Sequence, residues 1–131
     1  MVFLSDLVRA ISIPHTFDFI GASSYGDATR TTGQVTITKD VGMDLAGRHV
    51  LVIEDIYDSG HTLAALRDLL MIHRPASVEM CCFVVKEIER EHDIPVRYAG
   101  FHLPDSFLVG YGLDHAERFR NLRHVAVLDM G

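Results

Sequence analysis

The sequence from residue 49 to residue 63 is His49-Val-Leu-Val-Ile-Glu-Asp-Ile-Tyr-Asp-Ser-Gly-His-Thr-Leu63. Its first five residues are almost continuously apolar, a pattern typical of a strand that is buried on both faces. Three acidic residues and a Ser-Gly-x-Thr turn follow. A helix is expected from about Thr62, because Leu63, Leu66 and Leu70 recur on one side. A strand, a turn and a helix in this order indicate an α/β unit.

Upstream of this segment, the sequence predicts a helix, a strand, a polar loop and the return strand of a hairpin. The helix is amphipathic with one buried face, because Leu4, Leu7 and Ile11 recur at helical spacing. The strand, the loop and the return strand cover residues 17–22, 23–33 and 34–38.

Downstream, short apolar runs predict four more strands, with one helical turn before the last of them. The strands cover residues 78–85, 96–101, 107–111 and 124–129, and the turn covers 114–120. This alternation predicts an α/β fold, a mainly parallel sheet flanked by helices, in one domain over residues 1–131. Right-handed crossovers in such a sheet place a ligand at the carboxyl ends of the strands.

The composition narrows the class of protein. With 131 residues, of which 48% are apolar, the chain can bury the core of one domain. A formal charge of −6 and a pI of about 5.7 argue against a nucleic-acid-binding surface. The sequence contains no apolar run near the ~20 residues of a membrane helix, and no secretory signal is expected. Cys81 and Cys82 are adjacent, so we expect reduced structural thiols in a cytoplasmic protein.

The turn after the central strand has the chemistry of a phosphate site. Residues 58–62 combine consecutive amides, two hydroxyls and the flexible Gly60 at the start of a helix, where a phosphate dianion binds well. Glu54 and Asp55 are suited to accept hydrogen bonds from sugar hydroxyls, or to hold Mg²⁺ through water. The plain alternative is a strand-to-helix turn with a Ser or Thr cap and solvated acids. The glycine patterns of dinucleotide-binding and P-loop sites are absent from the sequence.

This segment resembles the phosphoribosyl-pyrophosphate motif of type I phosphoribosyltransferases. Other segments resemble the hypoxanthine-guanine members of that family in the same order and at similar spacing. They are Ser23-Ser-Tyr-Gly26, Lys86, Pro104-Asp-Ser-Phe-Leu-Val-Gly-Tyr-Gly-Leu-Asp114 and Glu117-Arg-Phe-Arg-Asn-Leu122. The resemblance covers essentially the whole chain. It implies a purine-salvage enzyme that uses Mg²⁺ and transfers the phosphoribosyl group from phosphoribosyl pyrophosphate to N9 of hypoxanthine or guanine, releasing pyrophosphate.

The resemblance also implies roles for the residues of the central motif. Asp58 accepts the proton from N7 of the purine as N9 attacks C1 of the ribose. Glu54 and Asp55 hold the ribose hydroxyls and, together with Asp114, the metal ion. The 5′-phosphate is held by four consecutive residues, Ser59, Gly60, His61 and Thr62.

The remaining roles implied by the resemblance lie outside the central motif. Lys86 donates to the 6-oxo group of the base, Phe107 stacks on it, and the backbone of Leu108 hydrogen-bonds its edge. Arg120 faces pyrophosphate. A mobile loop that carries Ser24 and Tyr25 closes over the site. The resemblance further implies a homo-oligomer, a dimer or a tetramer. Without it, Lys86 would be interpreted as a solvated lysine, and Phe107 as a core residue.

The chain departs from the family pattern at its start. Family members have a strand and a pyrophosphate-binding loop before the helix that begins here at Met1, so we expect a domain that is incomplete at the N-terminus. Two functions therefore stay open, an active transferase and a non-catalytic phosphoribosyl- or nucleotide-binding remnant. Among enzymes, adenine or orotate phosphoribosyltransferase is the alternative, and Lys86 and residues 107–114 argue against both.

Overall fold

The computed structural model describes residues 1–24, 34–129 and 131. The described elements follow one another along the chain as α1 (Val2–Ala10), β1 (Gly21–Ser24), β2 (Val35–Lys39), β3 (His49–Tyr57), α2 (His61–Ile72), β4 (Ser77–Lys86), β5 (Tyr98–Leu103), β6 (Leu108–Val109) and β7 (Ala126–Val127).

The central sheet has the order β3-β4-β5, and both of its pairings are parallel. Tyr57 at the end of β3 is in register with Val85, and Lys86 at the end of β4 is in register with Leu103. Because parallel strands run in one direction, all three carboxyl ends meet at one edge of the sheet. The predicted α/β fold with a mainly parallel sheet is therefore confirmed.

The two described helices cover opposite faces of this sheet. Cys82 and Phe83 are neighbours on β4, so their side chains point to opposite sides. Cys82 is fully buried in a core that includes Leu63 and Leu70 of α2. Phe83 contacts Phe3 of α1, with 5.0 Å between the ring centroids. The sheet therefore lies between α2, which builds the main core, and α1.

The burial of α1 is weaker than predicted. Its apolar stripe was expected to form a buried face, but Leu4 and Leu7 are only half-buried, and α1 contains no buried residue. The same face of the sheet leaves Leu51 of β3 38% exposed, whereas Val52 on the α2 side is buried. The prediction that the first part of β3 is buried on both faces was therefore wrong for Leu51.

Two antiparallel pairs, β1 with β2 and β6 with β7, lie beside the parallel sheet. The first is the predicted hairpin, but the predicted strand at residues 17–22 begins only at Gly21. The reason is that β2 ends at Lys39, which is in register with Gly21. Before that point, the Lys39 ammonium donates to the carbonyl of Phe19 and to the carboxylate of Asp18.

Two other predicted boundaries change. The central strand continues to Tyr57, because β4 supplies ladder partners as far as Val85, so Glu54 and Asp55 lie inside the strand and Asp58 directly follows it. The predicted helical turn at residues 114–120 is instead a series of tight turns, in which Ala116, Glu117 and Phe119 have positive φ values of 49°, 64° and 74°. Left-handed residues at these positions prevent a right-handed helix.

The buried thiols agree with the expected structural role. Cys81 and Cys82 are both free and buried. Burial raises the pKa of Cys82 to about 12, which keeps the thiol protonated and unreactive near neutral pH. Neither helix in the described part of the chain has the length and apolar character needed to cross a membrane.

We predict that Leu70→Ala lowers the free energy of unfolding by roughly 2–5 kcal/mol, the usual cost of a buried leucine. Leu70 is 1% exposed at the centre of the α2 core, whereas Ile72, two residues later, is 74% exposed. The control Ile72→Ala should therefore change the free energy by about 0.5 kcal/mol or less. Urea denaturation of both variants is the measurement, and equal losses would contradict the assigned core.

Candidate active site

The last part of β3 places Glu54 and Asp55 on opposite faces of the sheet. Glu54 lies beside Cys82, on the face covered by α2. Burial raises the pKa of the Glu54 carboxyl, although the Asp55 amide donates to Glu54 Oε1 at 3.1 Å and opposes that rise. Asp55 Oδ2 lies 3.6 Å from the amino group of Met1, where α1 begins. The two acids are separated because neighbouring strand residues alternate between faces.

The turn between β3 and α2 depends on Gly60. This residue has a φ of 90°, a left-handed conformation that favours glycine. A Cβ atom at this position would come within 2.3 Å of the carbonyl oxygen of His92, so a side chain is also excluded by space. The close approach of the loop after β4 therefore fixes the shape of the turn.

The start of α2 is open to an anion. Gly60 is the N-cap, and among the described residues no side chain caps the first turn. The alternative interpretation of this turn, a Ser or Thr cap, is thus not observed. Uncapped amides at a helix start carry a partial positive charge and need acceptors. The backbone amides at residues 59–62 are therefore suited to an anion, and their contact with a phosphate group stays a prediction.

Lys86, at the end of β4, joins the ends of all three parallel strands. Its ammonium lies 3.1 Å from Asp58 Oδ2 and 3.2 Å from Asp105 Oδ1. The side chain is only 12% exposed. Burial alone would lower the pKa of Lys86, but hydrogen bonds and attraction from both carboxylates outweigh it and raise this pKa. Lys86 is therefore a protonated donor at neutral pH.

This arrangement places a hydrogen-bond donor beside a hydrogen-bond acceptor. The Asp58 side chain is 53% exposed, so its carboxylate can contact a ligand while it is paired with Lys86. A planar ring that needs one donor and one acceptor can bind at this pair, with a phosphate group at the neighbouring start of α2. Asp105 was not predicted to take part. The feature of the sequence that could have pointed to Asp105 is its position in the Pro104-Asp-Ser segment, directly after β5.

Phe107 precedes β6 and leaves part of its ring open. The residue is 43% exposed, whereas Leu108 and Val109 after it are buried. Its ring meets His115 edge-on, with centroids 5.2 Å apart, and its carbonyl accepts a hydrogen bond from Leu128 at 2.8 Å. These contacts fix the backbone on either side of the ring. The exposed aromatic surface is suited to stacking against a planar ligand.

Asp114 and Arg120 bind each other. Asp114 Oδ1 lies 3.1 Å from the Arg120 guanidinium, and Asp114 Oδ2 accepts the Glu117 amide at 2.9 Å. Arg120 also donates to the carbonyl of Gly112 at 3.0 Å. The predicted metal ligand and the predicted pyrophosphate contact are thus neighbours in one loop. Across residues 1–24, 34–129 and 131, no group of three or more His, Cys, Asp or Glu residues is arranged to hold a metal ion.

The expected mobile loop is largely outside the described residues. Ser24 is the last residue of β1, and Tyr25 lies outside the described ranges. The turn formed by residues 59–62 is called the phosphate cradle below. Its residue His61 lies in the described part of the chain; the Nε2 atom is 3.6 Å from Glu91 Oε2, and the ring meets that of His92 edge-on, with centroids 5.0 Å apart. The cradle therefore contacts the loop after β4 by side chains as well as through Gly60.

Tyr57 supports the site from the end of β3, although it was not predicted to take part. It is 3% exposed at the end of β3. Its hydroxyl donates to the His92 carbonyl at 2.9 Å and accepts the Ile94 amide at 2.6 Å. The only signal in the sequence was an aromatic residue directly before Asp58. Tyr57 ties the loop after β4 to the strand that carries the motif.

The chain is similar to known phosphoribosyltransferases. The phosphoribosyl transferase domain family matches residues 1–116. A hypoxanthine phosphoribosyltransferase from Salmonella typhimurium is 46% identical over 124 residues, which are 95% of this chain and 70% of that protein. A hypoxanthine-guanine phosphoribosyltransferase from Mycobacterium avium is 43% identical over 98% of this chain and 64% of its own length.

A solved structure shows the same fold. The crystal structure of a hypoxanthine-guanine phosphoribosyltransferase from Bacillus anthracis superimposes with a TM-score of 0.91 at 45% identity, covering 98% of this chain and 75% of that one. The predicted type I phosphoribosyltransferase-like fold is thereby confirmed. The chain therefore belongs to the phosphoribosyltransferase family, in its hypoxanthine-guanine group, whose members are transferases.

Proposed function

We propose that this chain transfers the 5-phosphoribosyl group from phosphoribosyl pyrophosphate to N9 of hypoxanthine or guanine. The observation that carries the proposal is the pairing of Asp58 with Lys86 beside the open start of α2. A carboxylate, a protonated amine and an anion site meet at one edge of the sheet, which matches a substrate with a phosphate at one end and a polar base at the other. The products are inosine or guanosine monophosphate and pyrophosphate. The relatives do not favour the alternative of a non-catalytic remnant.

The phosphoribosyl group lies between the motif and the start of α2 in this proposal. Backbone amides of residues 59–62 hold the 5′-phosphate, supported by the partial positive charge of the helix start. Glu54 and Asp55 accept hydrogen bonds from the ribose hydroxyls at the carboxyl end of β3. The raised pKa of Glu54 fits this role, because a partly desolvated carboxyl gains from a hydroxyl donor.

The edge of the base faces the Asp58–Lys86 pair. Lys86 donates to the 6-oxo group, and Phe107 stacks on the ring, while the backbone of Leu108 hydrogen-bonds the edge of the base. As N9 forms its bond to C1 of the ribose, the bond from C1 to the pyrophosphate oxygen breaks, and Asp58 accepts the proton that leaves N7. Lys86 has donors and no acceptor. It therefore opposes the 6-amino group of adenine, which would leave both groups unpaired.

Glu54 and Asp55 lie on opposite faces of the sheet and Asp114 is paired with Arg120, so the three proposed carboxylates do not converge on one ion among the described residues. One of them would hold Mg²⁺ together with waters and substrate phosphates, which is usual for this ion. The ion would neutralise charge on the leaving pyrophosphate. Arg120 lies 3.1 Å from Asp114, so the proposed pyrophosphate contact and one proposed metal ligand are neighbours.

The remaining parts of the proposal concern a loop that closes over the site, the oligomeric state and the cellular compartment. We propose that the loop carrying Ser24 and Tyr25 covers the reacting atoms and excludes water. We also propose a homo-oligomer, a dimer or a tetramer, in the cytoplasm, where purine bases are salvaged. The free buried thiols of Cys81 and Cys82 suit a reducing compartment.

We predict that the chain forms nucleoside monophosphate and pyrophosphate from phosphoribosyl pyrophosphate, Mg²⁺ and hypoxanthine or guanine. Adenine should react far more slowly, because the Lys86 donor faces its amino group. Product analysis by chromatography, with hypoxanthine, guanine, xanthine and adenine tested in parallel, is the measurement. Equal turnover of adenine and hypoxanthine would overturn the base assignment, and no turnover of any base would overturn the activity.

We predict that Asp58→Asn lowers kcat by roughly 10²–10⁴-fold, the usual value of a general base. Binding of phosphoribosyl pyrophosphate should change little, because the phosphate cradle is made of backbone amides. Asp68→Asn is the matched control, since Asp68 is an exposed carboxylate of α2. Steady-state kinetics and calorimetric titration separate the two effects. A kcat equal to that of the parent would exclude Asp58 as the proton acceptor.

We predict that Lys86→Met reduces the preference for hypoxanthine over adenine by roughly 10- to 100-fold, the value of a hydrogen bond to a charged group. The KM for phosphoribosyl pyrophosphate should stay close to that of the parent. The ratio of kcat/KM for the two bases is the measurement. Lys39→Met is the control, because Lys39 binds Asp18 and Phe19 outside this site. An unchanged preference would leave Lys86 without a role in base choice.

A further inference from the structure

Arg90 binds the ends of two strands with one side chain. Its guanidinium lies 4.1 Å from the centroid of the Tyr57 ring and stacks on it. Nε donates to the carbonyl of Asp58 at 2.8 Å, and Nη1 donates to that of Ile88 at 3.3 Å. Nη2 donates to the carbonyl of Tyr57 at 3.4 Å and also to that of Lys86. The contacts therefore span the carboxyl ends of β3 and β4.

Two of the four carbonyls that Arg90 binds belong to the residues of the central ion pair, Asp58 and Lys86. Asp58 directly follows β3, and Lys86 is the last residue of β4. Both residues therefore lie where the ladder of backbone hydrogen bonds stops. Their side chains meet at 3.1 Å, and their backbones are bound by the same guanidinium. A carbonyl beyond the end of a ladder needs another donor when it is partly buried. Arg90 supplies these donors in a fixed planar arrangement.

We infer that Arg90 is a positioning residue that fixes the separation between Asp58 and Lys86. This inference rests on the proposed function, in which Asp58 accepts a proton and Lys86 donates to the base. Arg90 contacts backbone carbonyls and the Tyr57 ring, so it acts through Asp58 and Lys86 and not on the reacting atoms. A base held by both groups reacts well only when their separation matches it, and an error near 1 Å can cost on the order of 10² in rate.

Arg90 binds backbone carbonyls although several acidic residues lie near it in the sequence. Glu87, Glu89, Glu91 and Asp93 surround it, and ion pairs with them would be the ordinary expectation. All three guanidinium nitrogens instead donate to backbone carbonyls. A lysine cannot replace this fork, because its ammonium is a single point of donation on a flexible stem.

The loop has a second anchor, so loss of Arg90 should not unfold it. The buried Tyr57 hydroxyl binds the carbonyl of His92 and the amide of Ile94. These contacts hold the far part of the loop after β4 against β3. Arg90→Lys should therefore keep the fold and the phosphate cradle, while the near part of the loop loses its fixed geometry.

The test compares Arg90→Lys with Arg67→Lys, the same change at an exposed arginine of α2 that pairs with Asp68. We expect Arg90→Lys to lower kcat on the order of 10²-fold, as a misplaced catalytic pair does. The KM for phosphoribosyl pyrophosphate should stay within about threefold, since the cradle is unchanged, and the preference for hypoxanthine over adenine should fall. Arg67→Lys should match the parent in all three.

Hydrogen exchange gives a measurement that does not depend on activity. In Arg90→Lys, the amides of residues 58 and 87–88 should exchange faster, while the amides of residues 59–62, of α2 and of the β3–β4 ladder keep their protection. A kcat equal to that of the parent, or faster exchange spread over the whole chain, would overturn the positioning role. If the parent itself lacks transferase activity, the proposed function fails, and the local exchange pattern alone decides whether Arg90 positions the pair.

Discussion

The parallel pairing of β3, β4 and β5 is the constraint on which the site depends. Because the strands run in one direction and in register, their carboxyl ends meet at one edge of the sheet. That edge gathers Asp58, Lys86 and Asp105 from positions that are far apart in the sequence. A slip of one residue in the β3–β4 register would turn Lys86 to the other face and separate it from Asp58. The ladder hydrogen bonds and the α2 core therefore stabilise the site as well as the fold.

The charge distribution at this edge has a cost that the fold must offset. A lysine that is 12% exposed loses much of its hydration, and a buried cation is stabilised only by well-placed partners. Asp58 and Asp105 supply them, and their combined effect exceeds that of burial, since the pKa of Lys86 is raised. Because two carboxylates share one ammonium, the half-exposed Asp58 can still accept a further hydrogen bond. The pair is thus stable in the folded chain while Asp58 stays open to a ligand, as the proposed function requires.

The central strand, turn and helix could be predicted from the sequence because each of their signals is local. The apolar run, Gly60 and the leucines of α2 act on neighbours within a few residues. Contacts between distant segments could not be predicted in this way. The contact of Lys86 with Asp105 needs the β4–β5 register, and the pairing of Asp114 with Arg120 needs the left-handed turns between them. The placement of Glu54 and Asp55 on opposite faces follows from a strand that runs farther than its apolar residues indicate, since β4 provides partners beyond them.

The two halves of the proposed site, the phosphate half and the base half, differ in what holds them together. The phosphate half is formed by consecutive residues at the start of α2, and its shape requires Gly60 against the carbonyl of His92. The base half is formed by the ends of three strands and depends on the sheet. A substitution at the ends of β4 or β5 can therefore alter base choice and leave the cradle intact. Under the proposed function, this fold can therefore keep one phosphoribosyl subsite and accept a different base, because the first is built from a single turn and the second from the ends of other strands.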